Sequence, residues 1–210
     1  MDEEPVLRVA IPTHDMRAVV PTIVELLAVG KHLQRRVHFL VMEASNIPRG
    51  RNMILHRLRE QYPGDKFVPV LWVDSDIVLL SGQVDTIADA IRWADRFHRP
   101  IVANYPMADG RSMLIANAAG DHYTEAELQA LPNYADVMMA GFGFLYLPEQ
   151  PLDYVFHADR TGEDIYFWLE NRNLHPCLAK QIRIQHRKTV LLEQRLDLVE
   201  DPRKPDTMVL

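Results

Sequence analysis

Three times in the first hundred residues an apolar run rich in β-formers is followed by a segment whose apolar residues recur at helical spacing, and this alternation constrains the fold most. Residues 6–11, closed by Pro12, precede Val19, Val20, Ile23, Val24, Leu26 and Leu27, which keep helical spacing up to Gly30. Residues 37–42 precede a helix opened by Pro48, with Met53, Ile54, Leu55 and Leu58 on its buried stripe. Residues 67–73, apolar almost throughout as a strand covered on both faces should be, precede a helix over 87–97. The order predicts an α/β fold, a mostly parallel sheet with helices on both faces. Past residue 100 it loosens into an apolar run at 101–105, a polar stretch at 109–121, a short helix near 124–130 and a run at 137–147. A helix over 163–170 and a strand-like 181–186 follow, and Pro202 and Pro205 among charges mark a tail. One domain over 1–187 and an arm or tail over 188–210 is the expected organisation.

The charge balance, 23 Lys+Arg against 29 Asp+Glu, lacks the basic excess that neutralising a nucleic-acid backbone calls for, so nucleic acid is not an expected partner. A single Cys177 permits no internal disulfide, and no CxxC pair offers a thiolate zinc site, which fits a reducing compartment. The start, Met1-Asp2-Glu3-Glu4, is acidic where a secretory leader would be basic, and no stretch approaches 18 uncharged apolar residues. The expectation is a cytoplasmic chain without a transmembrane segment, compatible with a homo-oligomer.

The strand at 67–73 runs directly into Asp74-Ser75-Asp76, so two carboxylates stand where a parallel strand leaves the sheet, the edge at which open α/β sheets bind ligands. Magnesium and manganese are commonly held by one or two carboxylates plus substrate phosphates, so a D-x-D element suffices without a full protein cage. By itself the pair reads more simply as a turn or a helix cap.

Further segments join it in order. Ile47-Pro48-Arg49-Gly50-Arg51-Asn52 leads into a helix, Ala140-Gly141-Phe142-Gly143-Phe144-Leu145-Tyr146-Leu147 carries two glycines, Gly162-Glu163-Asp164 opens a helix, and Ile182-Arg183-Ile184-Gln185-His186 ends a strand with histidine. Over roughly residues 6–187 this order resembles the GT-A nucleotide-sugar glycosyltransferases of the D-x-D-containing, family-two kind, with Gly50 in place of the usual Ala and Asn173 in place of a helix-ending Gly. The resemblance implies a Rossmann-like GT-A fold with a smaller antiparallel part on the acceptor side. It implies Mn2+ or Mg2+ held by Asp74, Asp76 and His186, and a donor, a UDP- or GDP-sugar, bordered by Pro12, Thr13, Arg51, Asp74 and Ser75. Arg51 would meet a phosphate near the helix N-terminus, helped by the free N–H groups of the first turn. The glycines would let the backbone approach the donor sugar. Asp164, or failing it Glu163, would be the base of an inverting transfer, with the other of the pair serving the helix dipole alone.

Each residue also has a plainer reading: Arg51 paired with Glu43 or a neighbour, the glycines as a bulge or bend, His186 as a surface histidine. The expected acceptor is a soluble saccharide or glycoside, met by Tyr105, Met107, Asp109, Arg111, Met113, His122 and Tyr123. A sugar-phosphate nucleotidyltransferase and a non-catalytic metal- or carbohydrate-binding module are the rival readings. The first normally carries a glycine-rich loop after its first strand, where Ile11-Pro12-Thr13-His14-Asp15-Met16-Arg17 has no glycine.

Overall fold

The computed structural model describes residues 5–14, 20–106, 111–117, 119–157 and 162–187. The expected alternation is laid out as β1 (Val6–Thr13), α1 (Val20–Leu33), β2 (Arg36–Glu43), α2 (Ile47–Gln61), β3 (Phe67–Val73), β4 (Ile77–Leu79) and α3 (Val84–Phe97). There follow β5 (Ile101–Val102), β6 (Leu114–Ile115), α4 (Glu125–Ala130), β7 (Tyr134–Asp136), β8 (Met139–Ala140), β9 (Phe144–Pro151), α5 (Glu163–Glu170), β10 (Cys177–Ala179) and β11 (Ile184–His186). The main sheet has seven strands in the order β2-β1-β3-β9-β5-β10-β7. Within it β1 is parallel to β2 and β3, β9 runs antiparallel between β3 and β5, and β10 is parallel to β5 but antiparallel to β7. Five strands therefore share one direction and β9 and β7 oppose it, a mostly parallel α/β sheet as expected. Two small antiparallel ladders, β4 with β11 and β6 with β8, stand beside it.

The double-sided hydrophobicity of 67–73 has a direct cause in two separate cores. Leu71 and Val73 join Leu7, Val9 and Ile11 of β1 beneath Leu26 and Val29 of α1 and Ile87 and Ile91 of α3. Val68, Val70 and Trp72 face the other way, onto Ile54, Leu55 and Leu58 of α2 and onto Phe142, Phe156, Phe167 and Trp168. Trp72 keeps its one polar atom satisfied there by donating Nε1–H to Gln150 Oε1 at 2.8 Å.

Several boundaries depart from expectation for local reasons. Gly30 does not end α1: it lies inside the helix, where a Cβ would come within 2.1 Å of Val37 Cγ2, so it lets α1 settle onto β2. The 137–147 run breaks at Gly141, with β8 going to the small ladder and β9 to the main sheet. Strand 181–186 shortens to Ile184–His186 after a turn at 180–181. Asn171 rather than Asn173 closes α5, at φ −111°, with its backbone N–H and its Nδ2–H both donating to Phe167 O. No described helix is long and apolar enough to cross a membrane. The proposed arm at 188–210, and Val19, Met107 and Asp109, lie outside the described residues.

Candidate functional site

At the C-terminal end of β3 the backbone turns sharply. Asp74 N–H donates to Gly143 O at 3.1 Å and Asp74 O accepts from Ile77 N–H at 3.1 Å, with half-buried Ser75 in the bend. The turn feeds β4, whose antiparallel register with β11 sets His186 opposite Ile77. That pairing brings His186 Nε2 to 3.2 Å from Asp76 Oδ2, and Arg187 N–H donates to Asp76 O at 2.9 Å. Gln83 steadies the approach to β11, since its amide donates to Arg183 O at 2.6 Å and accepts from Arg183 N–H.

Across the sheet edge, Gly162 at φ +82° opens α5 in a left-handed turn that few other residues adopt without strain, and Glu163 and Asp164 fill the first helical turn. Arg51, in α2, is 1% exposed and reaches both of them. Its Nη1 lies 2.8 Å from Glu163 Oε1 and 3.0 Å from Asp164 Oδ1, and its Nη2 lies 3.2 Å from Asp74 Oδ1. The guanidinium stacks over Phe142 at 4.7 Å and Phe156 at 5.5 Å, and its Nε is buried without a hydrogen-bond partner. Neighbouring Asn52 ties down the Phe156 segment, with its side chain donating to Phe156 O and accepting from Phe156 N–H, each at 2.7 Å.

Burial opposes the charge of Arg51, but Asp164, Asp74 and Glu163 outweigh it and its pKa is raised. The carboxyls respond in the opposite sense: burial, only partly offset by Arg51, raises the pKa of Asp74, which also feels Asp164 and Asp76. Glu163 is raised by burial and by Asp164, again against Arg51. Tyr105 stacks on His186 with centroids 5.6 Å apart, and its phenol is pushed well above the usual value by burial and by Asp74 and Asp164.

These placements change several sequence-based assignments. Arg51 is not a surface cation awaiting a phosphate, nor paired with Glu43; it is the buried counterion of three carboxylates. The first turn of α2 is no open anion cradle either, because Pro48 has no N–H, Asn46 Oδ1 accepts from Arg49 N–H at 2.9 Å, and Gly50 N–H donates to Asn46 O. Glu163 and Asp164 both enter the cluster, so neither is confined to the helix dipole. Gly141 and Gly143 make room for side chains: a Cβ on Gly143 would lie 2.3–2.7 Å from Cε1, Cζ and the hydroxyl of Tyr105, and one on Gly141 2.5 Å from Met113 Cε and 2.8 Å from the Tyr105 hydroxyl. Tyr105 is therefore an internal part of the site and not an acceptor platform. Gly143→Ala is expected to cost roughly 1–3 kcal/mol in urea unfolding, because the buried ring must be displaced.

Pro12 and Thr13, expected to border a donor, are buried at the end of β1, with Pro12 packed beneath Gly50. The open wall is instead a cavity of about 440 Å³ lined by His14, Glu43, Ala44, Ser45, Arg49 and Met53. Arg49 is the residue that sequence reasoning passed over; it stands in the same quoted segment as Arg51, and only the helical phase separates the buried arginine from the exposed one. On the other side, Met113, Ile115, His122, Met139, Gly141 and Ile165 line a cavity of about 270 Å³ together with Glu163 and Asp164. Arg111, His122 and Tyr123 line a further cavity of about 420 Å³.

The residues present fit a hard divalent cation in part. Three carboxyl groups, Asp74, Glu163 and Asp164, share one guanidinium, leaving an excess of oxygen donors, and Asp76 stands close enough for its charge to act on Asp74. Two ligands about 2.1 Å from one ion at a right angle lie about 3 Å apart, close to the Asp76–His186 separation of 3.2 Å. Asp74, expected as a third ligand, is turned to Arg51, and among the described residues no group of three His, Cys, Asp or Glu is arranged to hold an ion by itself. An ion at Asp76 and His186 would complete its shell from water and substrate oxygens.

No protein-family model matches the sequence, and no curated protein does. Among solved structures, the chain is similar to the catalytic domain of Drosophila β1,4-galactosyltransferase 7 in complex with xylobiose, at 12% identity and a TM-score of 0.49, over 97% of this chain and 77% of that one. It is similar to a glycosyltransferase involved in glycosylation of the major capsid of PBCV-1, at 10% identity and a TM-score of 0.49, over 92% and 99%. A Bacillus anthracis protein assigned as a glucose-1-phosphate thymidylyltransferase, solved with sucrose, is similar at 10% identity and a TM-score of 0.44, over 96% and 97%. These are likenesses in the course of the chain, and the functional reading stands on the site's own geometry.

Proposed function

We propose that this chain is a metal-dependent glycosyltransferase that moves a sugar from a UDP- or GDP-sugar to a hydroxyl of a soluble saccharide or glycoside with inversion. The observation that carries this reading is the meeting, at one sheet edge, of Asp76 with His186 and of Asp164 with a cavity beside it. Asp76 and His186 are the residues that would hold Mn2+ or Mg2+, with Asp74 setting the charge around them. When bound, the ion supplies Lewis-acid stabilisation of the departing diphosphate. Asp164 is held by Arg51 on Oδ1 and by Phe142 N–H, at 3.1 Å, on Oδ2, so its carboxylate faces the 270 Å³ cavity in a fixed orientation. There it takes the proton of the acceptor hydroxyl as that oxygen bonds to the anomeric carbon, while the bond from that carbon to the diphosphate oxygen breaks and the electron pair leaves with the phosphate.

Titration calorimetry with UDP and GDP, with and without manganese, tests the reading. One nucleotide is expected to bind only with the metal, and Asp76→Asn is expected to abolish that metal-dependent binding while shifting the melting temperature little, since Asp76 is half-buried in a turn and the substitution keeps its size. Equal binding of both nucleotides in EDTA, or full metal dependence in Asp76→Asn, would overturn the metal assignment. Formation of a nucleotide sugar from a nucleoside triphosphate and a sugar phosphate would establish the nucleotidyltransferase alternative.

A further inference from the structure

A cavity of about 750 Å³ lies at the opposite end of the sheet from the carboxylate cluster. Arg8 and His38 are register partners on β1 and β2, and Arg36 pairs with Val6 two residues earlier, so three basic side chains sit on one patch of two adjacent strands at their N-terminal ends. Arg35 adds a fourth. Its charge is already answered by Asp95, at 2.6 Å, which also accepts from the Tyr146 hydroxyl at 2.6 Å, and Asp95 is the one carboxylate in the lining. Arg8 has no carboxylate partner among the described residues: its guanidinium lies 4.3 Å over the Tyr62 ring and its Nε is buried without a hydrogen bond. Arg36 is exposed and has no carboxylate partner there either. In a chain of formal charge −6 this is, among the described residues, a local excess of guanidinium groups without carboxylate partners inside a concavity of ligand size.

We propose that this cavity binds a small molecule through a phosphate or diphosphate group, gripped by Arg8 and Arg36 with His38 beside them. Planar guanidinium forks suit phosphate oxygens bidentately, and a concavity of this volume accommodates a small ligand. Arg8 and Thr13 are five residues apart on one extended strand, roughly 17 Å, so the site is separate from the metal-binding edge. The proposal does not depend on the glycosyltransferase reading.

Calorimetric titration of the full chain in EDTA at low salt tests it, with pyrophosphate, a nucleoside monophosphate and a hexose phosphate as arms that show which source of phosphate is preferred. One saturable site is expected for at least one arm, with Kd rising about tenfold or more in Arg36→Gln and in Arg8→Gln. Arg36 is exposed, so its variant reports on binding even if Arg8→Gln unfolds. Asp76→Asn is expected to bind as the unaltered chain does. No saturable binding in any arm would overturn the proposal, as would binding lost in Asp76→Asn but kept in Arg36→Gln. Loss of thermal stability in the Arg variants without any phosphate binding would also overturn it, by showing that the cations only offset the C-terminal ends of α1 and α2.

Discussion

Asp164→Asn is expected to lower kcat by about 10²–10⁴ while metal-dependent nucleoside diphosphate binding persists. The substitution removes the proton acceptor but leaves Asp76 and His186 untouched, so binding and chemistry should separate in steady-state and titration measurements. Its structural side effect is bounded. The two oxygens of Asp164 accept from different donors, Arg51 Nη1 and Phe142 N–H, so an amide in either rotamer sets one donor against another. One such mismatch costs roughly 1–3 kcal/mol, visible in unfolding but unable to imitate a selective loss of kcat. Glu163→Gln is the control, since Glu163 shares Arg51 and the same cavity wall. Less than a tenfold loss is expected there. If Glu163→Gln shows the large loss and Asp164→Asn does not, Glu163 is the base; if neither does, the inverting mechanism fails.

How much of this could be read from sequence follows from the range over which each determinant acts. The core strand at 67–73 and the aspartates after it were legible because both are contiguous and because burial on two faces leaves an unbroken apolar run. The partners of Arg51 were not, because they lie 23, 112 and 113 residues away and are brought in by α5 and β3 crossing the sheet edge. His186 could be marked as a strand-ending histidine, but its encounter with Asp76 depends on pairing with β4, a strand of three residues with no pattern of its own. The glycines at 141 and 143 announced a close approach without saying what approaches. Only the fold reveals that the space belongs to Tyr105 and Met113. The Asn46 cap could have been found, since a capping residue stands directly before Ile47-Pro48, and it is what removes the anion cradle expected there.

Arg51→Met should destabilise the chain by roughly 3–5 kcal/mol at neutral pH, the range seen when one partner of a buried ionic network is removed and the other charges remain. Methionine fills much of the arginine stem's volume, so the loss would report mainly on charge: Asp74, Glu163 and Asp164 would face one another without a cation. Against a typical total of about 5–15 kcal/mol, that is a large fraction of the fold's stability. The effect carries a pH signature with a defined sign. Asp74 and Glu163 already have raised pKa values with Arg51 present, and its removal raises them further. Between their ordinary carboxylate values and those raised ones the folded variant holds more protons than its unfolded state, so its stability falls as pH rises through that window. Urea unfolding should therefore find the deficit of Arg51→Met smaller near pH 5 than at pH 7.5, and adding Glu163→Gln should recover part of it by removing one of the opposed charges. A deficit below about 1 kcal/mol, or one equal at both pH values, would mean that solvent already screens the three carboxylates and that Arg51 is not what holds this edge of the sheet together.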